Sequence, residues 1–207
     1  MLVRLIHIRQ NKIIPMSDPQ NQPMPVNETD PNKSFVSIGL VNPKTPVNVA
    51  GIMRASGCYQ VDQVFYTGNR YNYAVNAEPQ YEVDKKQATK TIPLVGVDSL
   101  LEQVPDGSTI VCVDLVVGAV PLPQFVHPQN AFYVFGPEDG SIPQQLIDAA
   151  KHVVYVPTVG CMNLAASVNV LLYDRLAKSA EHQTDDELIR KSRDNNNRTR
   201  VKHWLNK

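Results

Sequence analysis

Ala131–Ser179 reads AFYVFGPEDGSIPQQLIDAAKHVVYVPTVGCMNLAASVNVLLYDRLAKS, and the spacing of its apolar residues decides the fold. AFYVFG (131–136) is a continuous apolar run ended by Gly136-Pro137, the pattern of a strand covered on both faces. IPQQLIDAA (142–150) follows as a helix, with Pro143 in its first turn, where a missing N–H costs nothing. HVVYVP (152–157) is another strand, closed by Pro157. From Asn163 onward, Leu164, Val168, Leu171, Leu172 and Leu176 recur at helical spacing. Strand, helix, strand and helix joined by short connections specify an α/β layer built on parallel strands.

The same alternation extends toward the N-terminus. SFVSIGLV (34–41) reads as a buried strand and VNPKTP as the turn after it. A helix begins near Val47, with Val49, Ile52, Met53 and Ser56 on one face, Asn48 at the N-cap and Gly57 near the end. VDQVFYT (61–67) and STIVCVDLV (108–116) are strands, VDSLLEQVP (97–105) is a short helix, and PLPQFVHPQN (121–130) is a loop with one helical turn. The polar stretch 68–90 has no pattern that assigns it. The expected architecture is therefore one α/β domain over 34–180, a mainly parallel sheet with helices on both faces.

The flanks differ in texture. Residues 1–33 carry five prolines (Pro15, Pro19, Pro23, Pro25 and Pro31) among Asn, Gln, Asp and Ser, too little apolar surface to offset ordering, and read as a flexible leader. Residues 181–207 read as a charged tail: Arg190, Lys191, Arg193, Arg198, Arg200, Lys202 and Lys207 face a single acid, Asp194, from 190 onward. Taken alone, such a run is a solvated terminus.

Composition narrows the function classes. Lys+Arg and Asp+Glu number 20 each, so the chain is not a general polyanion coat, though a local basic patch is allowed. Cys58, Cys112 and Cys161 are widely spaced, make no C-x-x-C pair, and read as reduced thiols with no metal site. The first residues lack a continuous apolar core and a small-residue cleavage site, and no run is long enough to span a membrane; the expected compartment is the cytoplasm.

Three segments carry more chemistry than packing requires. NPKTPVNVAGIMRASG (42–57) places Asn48 and Arg54 on a helix of small residues. FGPEDGSIP (135–143) is a glycine turn at a strand's C-terminal end, where α/β sheets bind ligands, with Glu138 inside it. VYVPTVGCMNLAASVN (154–169) brings Gly160, Cys161 and Asn163 to the amides of a helix start, which suits a small polar ligand. Each also has an ordinary reading: a cap and a surface cation, a plain turn, a buried helix start. Neither a phosphate-loop pattern nor a G-x-S-x-G elbow is present, which argues against a kinase-like enzyme or an α/β hydrolase. No histidine lies near Cys161 in sequence to activate it as a nucleophile.

In this order the three segments resemble motifs 1, 2 and 3 of the SpoU (TrmH-like) branch of the SPOUT RNA methyltransferases. The matching residues are Asn48 and Arg54 in N-V-A-G-I-M-R, Gly136, Glu138 and Gly140 in F-G-P-E-D-G-S-I-P, and Val156, Pro157 and Asn163 in V-P-T…C-M-N-L-A. The resemblance covers roughly residues 34–180. It implies a C-terminal trefoil knot, S-adenosyl-L-methionine bound in that knot, a homodimer, and 2′-O-methylated ribose in tRNA or rRNA as the product. Carried residue by residue, it assigns Arg54, Asn48, Glu138 and Asn163 to catalysis, with Glu138 holding Arg54. Leu115, Gly136, Val156, Cys161 and Met162 would receive the cofactor. Where the family often has Ser, this chain has Cys161 in Cys161-Met162-Asn163; an alternative register uses Ser167-Val168-Asn169. The Asn163 register starts the helix where N-cap chemistry puts it, and leaves Ser167 one turn inside, able to bond a preceding carbonyl. A non-catalytic RNA-binding protein on the same fold is the competing reading.

Overall fold

Five consecutive buried residues in Val36–Leu40 (β1) and again in Ala131–Phe135 (β6) make these the central strands, because only a strand covered on both faces excludes water from every position. The computed structural model describes residues 34–77, 91–179 and 186–192. In chain order these form β1, α1 (Pro46–Cys58), β2 (Gln63–Tyr66), α2 (Arg70–Ala77), β3 (Leu94–Gly96), β4 (Thr109–Val113), β5 (Val120–Pro121), β6, α3 (Gln144–Ala149), β7 (His152–Tyr155), α4 (Leu164–Lys178) and α5 (Asp186–Ser192).

The sheet has seven strands in the order β3-β2-β1-β6-β4-β7-β5, and every pairing among the described strands is parallel. In the centre, Val36 lies opposite Ala131 and Leu40 opposite Phe135. Parallel pairing puts the C-terminal ends of β1, β2, β4, β6 and β7 on one edge of the sheet. The loops that leave those ends are the ones singled out by sequence.

Alternation within β6 splits the core between two faces. Ala131, Tyr133 and Phe135 join Ile38, Leu40, Val49, Ile52, Val168 and Leu171 under α1 and α4. Phe132 and Val134 point the other way, with Phe65, Leu100, Cys112 and Ile142, against Leu146 and Ile147 of α3. Helices α1 and α4 approach closely because Gly51 has no side chain: a Cβ there would lie 3.0 Å from the Cβ of Ala165.

Among the described residues the alternating α/β reading holds in its main elements, with four differences. The N-cap of α1 is Thr45, with Pro46 as the first helical residue; Asn48 sits inside the first turn, where its buried side chain reaches outward to other loops. The unassigned stretch contains α2, which lacks a buried residue and so shows no apolar stripe; Tyr71 packs edge-on against Tyr66 at 5.1 Å. The helix expected over 97–105 is a single 3-10 turn, Leu101–Gln103, preceded by β3. Val120–Pro121 adds the edge strand β5, too short to show a period. The leader over 1–33 lies outside the described residues, as does the tail from residue 193 onward.

Candidate active site

The turn after β6 anchors the site. Glu138 Oε2 accepts the backbone N–H of Lys44 at 2.8 Å, and its Oε1 accepts the Thr45 N–H at 3.0 Å and Asn48 Nδ2 at 2.9 Å. These donors surround the N-terminus of α1, where free amides and the helix dipole favour a negative charge. Burial by itself raises the Glu138 carboxyl, but the donors from Asn48, Lys44 and Thr45 outweigh it and hold the group below its ordinary range.

The third segment joins the same cluster. Asn163 is the N-cap of α4; its Oδ1 accepts from Ala165 N–H at 2.9 Å and Ala166 N–H at 3.2 Å. Its Nδ2 donates to Asn48 Oδ1 at 2.7 Å. A continuous chain therefore runs from the α4 start through Asn163 and Asn48 to Glu138, across residues separated by up to 115 positions. Ser167 lies one turn inside the helix, where its Oγ donates to the Asn163 carbonyl at 3.2 Å. Asn169 instead spends its amide on the Ala165 carbonyl within the helix. The cap and the cross-link both belong to Asn163.

Beside this chain lies a cavity of about 150 Å³ at the C-terminal ends of β4, β6 and β7 and the start of α4. Leu115, Gly136, Val156, Cys161 and Met162, the five residues expected around a cofactor, all line it, together with Glu138. A Cβ on Gly136 would come within 3.2 Å of the Ile142 amide nitrogen, so glycine keeps that wall thin. The space corresponds to on the order of ten water positions, enough for part of a small molecule and too small for a nucleic-acid strand.

Arg54 is exposed on α1 and has no hydrogen-bond or ion-pair partner among the described residues. The expected Glu138–Arg54 pair does not form, because the Glu138 oxygens are taken by Lys44, Thr45 and Asn48.

Two contributions were missed from sequence. Asp114, at the end of β4, lines the cavity and braces it: its Oδ2 accepts the Ile142 N–H at 2.8 Å and its Oδ1 the Leu115 N–H at 2.7 Å. An acid directly after an apolar strand was the available signal. Asp139, beside Glu138, takes a forked pair of bonds from Arg70 at the start of α2, Nη1 to Oδ1 and Nη2 to Oδ2, both 2.8 Å. Nothing local to either residue foretells that contact. Among the described residues no group of three or more His, Cys, Asp or Glu could hold a metal ion, and no helix is long and apolar enough to cross a membrane.

Solved structures share this architecture. AviRb from Streptomyces viridochromogenes, a SpoU methyltransferase in complex with the cofactor AdoMet, matches with a TM-score of 0.60 at 17% identity, over 69% of this chain and 60% of AviRb. A protein whose structure addresses 2-OH methylation of C/U34 on tRNA matches with a TM-score of 0.59 at 19% identity, over 69% of this chain and 94% of its own. The A. aeolicus TrmH/SpoU tRNA modifying enzyme matches with a TM-score of 0.57 at 17% identity, over 70% and 75%. At these identities the likeness establishes the fold, and the present chain spans less than two thirds of AviRb. No curated protein sequence matches significantly. The sequence pattern of the SpoU rRNA Methylase family covers residues 36–173, two thirds of the chain and all three segments of the site; the chain belongs to that family.

Proposed function

We propose that the protein is an S-adenosyl-L-methionine-dependent RNA methyltransferase that methylates a ribose 2′-hydroxyl of tRNA or rRNA. The observation that carries this reading is the Asn163–Asn48–Glu138 chain, which unites three distant motifs at the C-terminal edge of the sheet and meets the cavity at Glu138. The lining suits the cofactor: Leu115, Val156 and Met162 offer apolar surface to a nucleoside, and the Glu138 and Asp114 carboxylates suit a sulfonium cation. When bound, S-adenosyl-L-methionine supplies an electrophilic methyl group.

The chain's own residues divide the remaining work. Glu138 is a poor base, since its carboxylate is held ionised by three donors; it positions the start of α1. Asn48 and Asn163 fix α1 and the 157–163 loop in one register, which keeps Cys161 and Met162 at the cavity. Arg54, exposed and unpaired among the described residues, presents its charge to the substrate. A guanidinium keeps its proton, so its role is to stabilise a developing alkoxide or grip the neighbouring phosphate, while the proton leaves through that phosphate or water.

Several finer features belong to the same proposal. Residues 34–180 form the methyltransferase domain, 1–33 a leader and 181–207 an RNA-binding tail, acting in the cytoplasm. A C-terminal knot is supported by the 122–130 segment running across α4: Lys178 donates to the Leu122 and Phe125 carbonyls and Arg175 to those of Pro128 and Gln129. A homodimer is supported by Val170, Tyr173 and Leu176, which remain exposed on α4 at helical spacing.

Calorimetry on the full chain tests the core of the reading: S-adenosyl-L-methionine or its demethylated product binds, and ribose-methylation mapping of cellular RNA loses a site when the protein is removed. Arg54→Ala abolishes transfer while cofactor affinity stays within about twofold. RNA binding without binding of either cofactor form would favour the non-catalytic alternative.

A further inference from the structure

The cavity shares its 136–140 turn with a second feature. Asp139 receives the forked Arg70 guanidinium, and Lys44 Nζ lies 3.5 Å from its Oδ2. Lys44 follows β1, Arg70 follows β2 and Asp139 follows β6, and these three strands are neighbours in the sheet in the order β2-β1-β6. The cavity lies at the ends of β6, β4 and β7. The cation pair therefore sits along the same edge, one to two strands away on the side opposite β7.

The chemistry of the cluster is that of an anion site. A planar guanidinium presenting two parallel N–H groups, with an ammonium alongside, is a donor set that a phosphate accepts as readily as a carboxylate. All three side chains are open to solvent, Lys44 at 61%, Arg70 at 31% and Asp139 at 52% exposure. Their exposure lets a competing anion reach the donors, and the forked Arg70–Asp139 geometry makes Asp139 a strong competitor for them. Two cations share the Asp139 carboxylate while Glu138 also acts on Arg70 from the adjacent position, so the converging donors rather than a surplus of charge define the site. Asp139 bonds to the Arg70 and Lys44 side chains, whereas Glu138 bonds to the start of α1, so the clamp can open without disturbing the Glu138 chain.

We propose that Lys44 and Arg70 form a phosphate subsite for the backbone of the RNA strand whose ribose is presented to the cavity, and that Asp139 is an internal competitor occupying their donors until RNA arrives. The inference rests on the RNA reading above and deepens it. Phosphates contribute affinity independent of sequence, so the subsite holds the strand along the edge and leaves selection to other contacts. Asp139 makes that affinity conditional: a phosphate must displace a carboxylate that is covalently kept at the site.

Opposite signs of effect test this. Fluorescence anisotropy with labelled unfractionated tRNA, measured on the full chain, should show Arg70→Gln and Lys44→Gln each weakening binding about three- to tenfold at low salt. Each should also reduce the logarithmic salt slope by roughly 0.7–0.9. Asp139→Asn should strengthen binding about three- to tenfold, and lose most of that gain in the Arg70→Gln background, as competition for one group requires. Asp148→Asn, the same charge change on α3, controls for overall charge and should stay within about twofold. Cofactor affinity should be unchanged in all of them. If Asp139→Asn weakens tRNA binding as Arg70→Gln does, the pair is a structural clamp and the subsite is refuted. An unchanged salt slope in both cation variants refutes it equally. Failure of the wild-type chain to bind tRNA at all overturns the RNA reading, and the subsite with it.

Discussion

Helix α4 is held at its two ends by polar clusters of opposite character. At its start, Asn163 links to Asn48 and Glu138 in a cluster that is half open to solvent and borders the cavity. Near its end, Asp174 Oδ2 meets His127 Nε2 at 2.9 Å and Lys178 Nζ at 2.7 Å, while His127 Nδ1 lies 2.6 Å from the Tyr133 hydroxyl. Arg175 donates to that hydroxyl at 3.1 Å. The partners fix the proton positions: the carboxylate requires an N–H on Nε2, so Nδ1 accepts from Tyr133, whose oxygen accepts from Arg175. Here the His127 side chain is only 5% exposed and Tyr133 is fully buried. Burial pushes the Tyr133 hydroxyl up to about 12 despite Arg175, and it lowers His127 against the opposing pull of Asp174. The first cluster sets the Glu138 carboxylate beside a space that a ligand can fill. The second spends every group on closing α4 against the 122–130 segment. One serves geometry and the other stability.

The largest expected effect breaks the buried cluster. Asp174→Ala strands the buried His127 N–H and leaves Lys178 with only its carbonyl partners, and denaturant unfolding should show a loss of about 2–4 kcal/mol. Ligand affinity of the remaining folded protein should change by less than about threefold. Asn163→Ala reverses the proportions: losing the cap costs about 1 kcal/mol. S-adenosyl-L-methionine affinity measured by calorimetry should fall about tenfold or more, because Asn48 loses its partner and the loop holding Cys161 and Met162 loses its anchor.

Titration separates the clusters in a third way. His127 has a folded pKa below its ordinary 6.5, so the stability it contributes is full above pH 6.5 and is lost as pH falls through the folded value. Glu138 also titrates below its ordinary 4.5, so its contribution is present above pH 4.5 and disappears in a more acidic window. Unfolding free energy plotted against pH should bend twice; His127→Gln should flatten the bend nearer neutrality and Glu138→Gln the acidic one. One bend surviving unchanged in its own variant would show that the cluster is not what titrates there. The smallest effect belongs to α5, where Lys191 pairs with Glu187 four residues earlier at 2.8 Å with both ends exposed. Lys191→Ala should shift stability by no more than a few tenths of a kcal/mol.

The first cluster was legible in sequence because its members sit at positions where local rules already speak. Glycine and proline punctuate the Glu138 turn, and Asn163 stands where a helix must be capped. Asn48 was legible as a residue of interest but misplaced as a cap, since Thr45 occupies that position and leaves Asn48 free to bridge two loops. The second cluster was not legible. His127 lies in a proline-flanked loop, Tyr133 reads as one more apolar strand residue, and Asp174, Arg175 and Lys178 look like the solvated face of a helix. Their meeting depends on where the 122–130 segment crosses α4, a contact between residues some 50 positions apart.

By itself the sequence determined the alternation of strands and helices, the all-buried centre of the sheet and the three segments at its C-terminal edge. These follow from apolar periodicity and from the backbone demands of Gly, Pro and Asn, which act over a few residues. Tertiary structure alone decided the strand order β3-β2-β1-β6-β4-β7-β5, the partners of Glu138 and the buried His127 cluster. It also decided the pairing of Arg70 with Asp139. The physical reason is that a polar side chain carries no period: its partner is whichever donor or acceptor the packed chain brings within about 3 Å, and unpaired burial is too costly to leave that choice open.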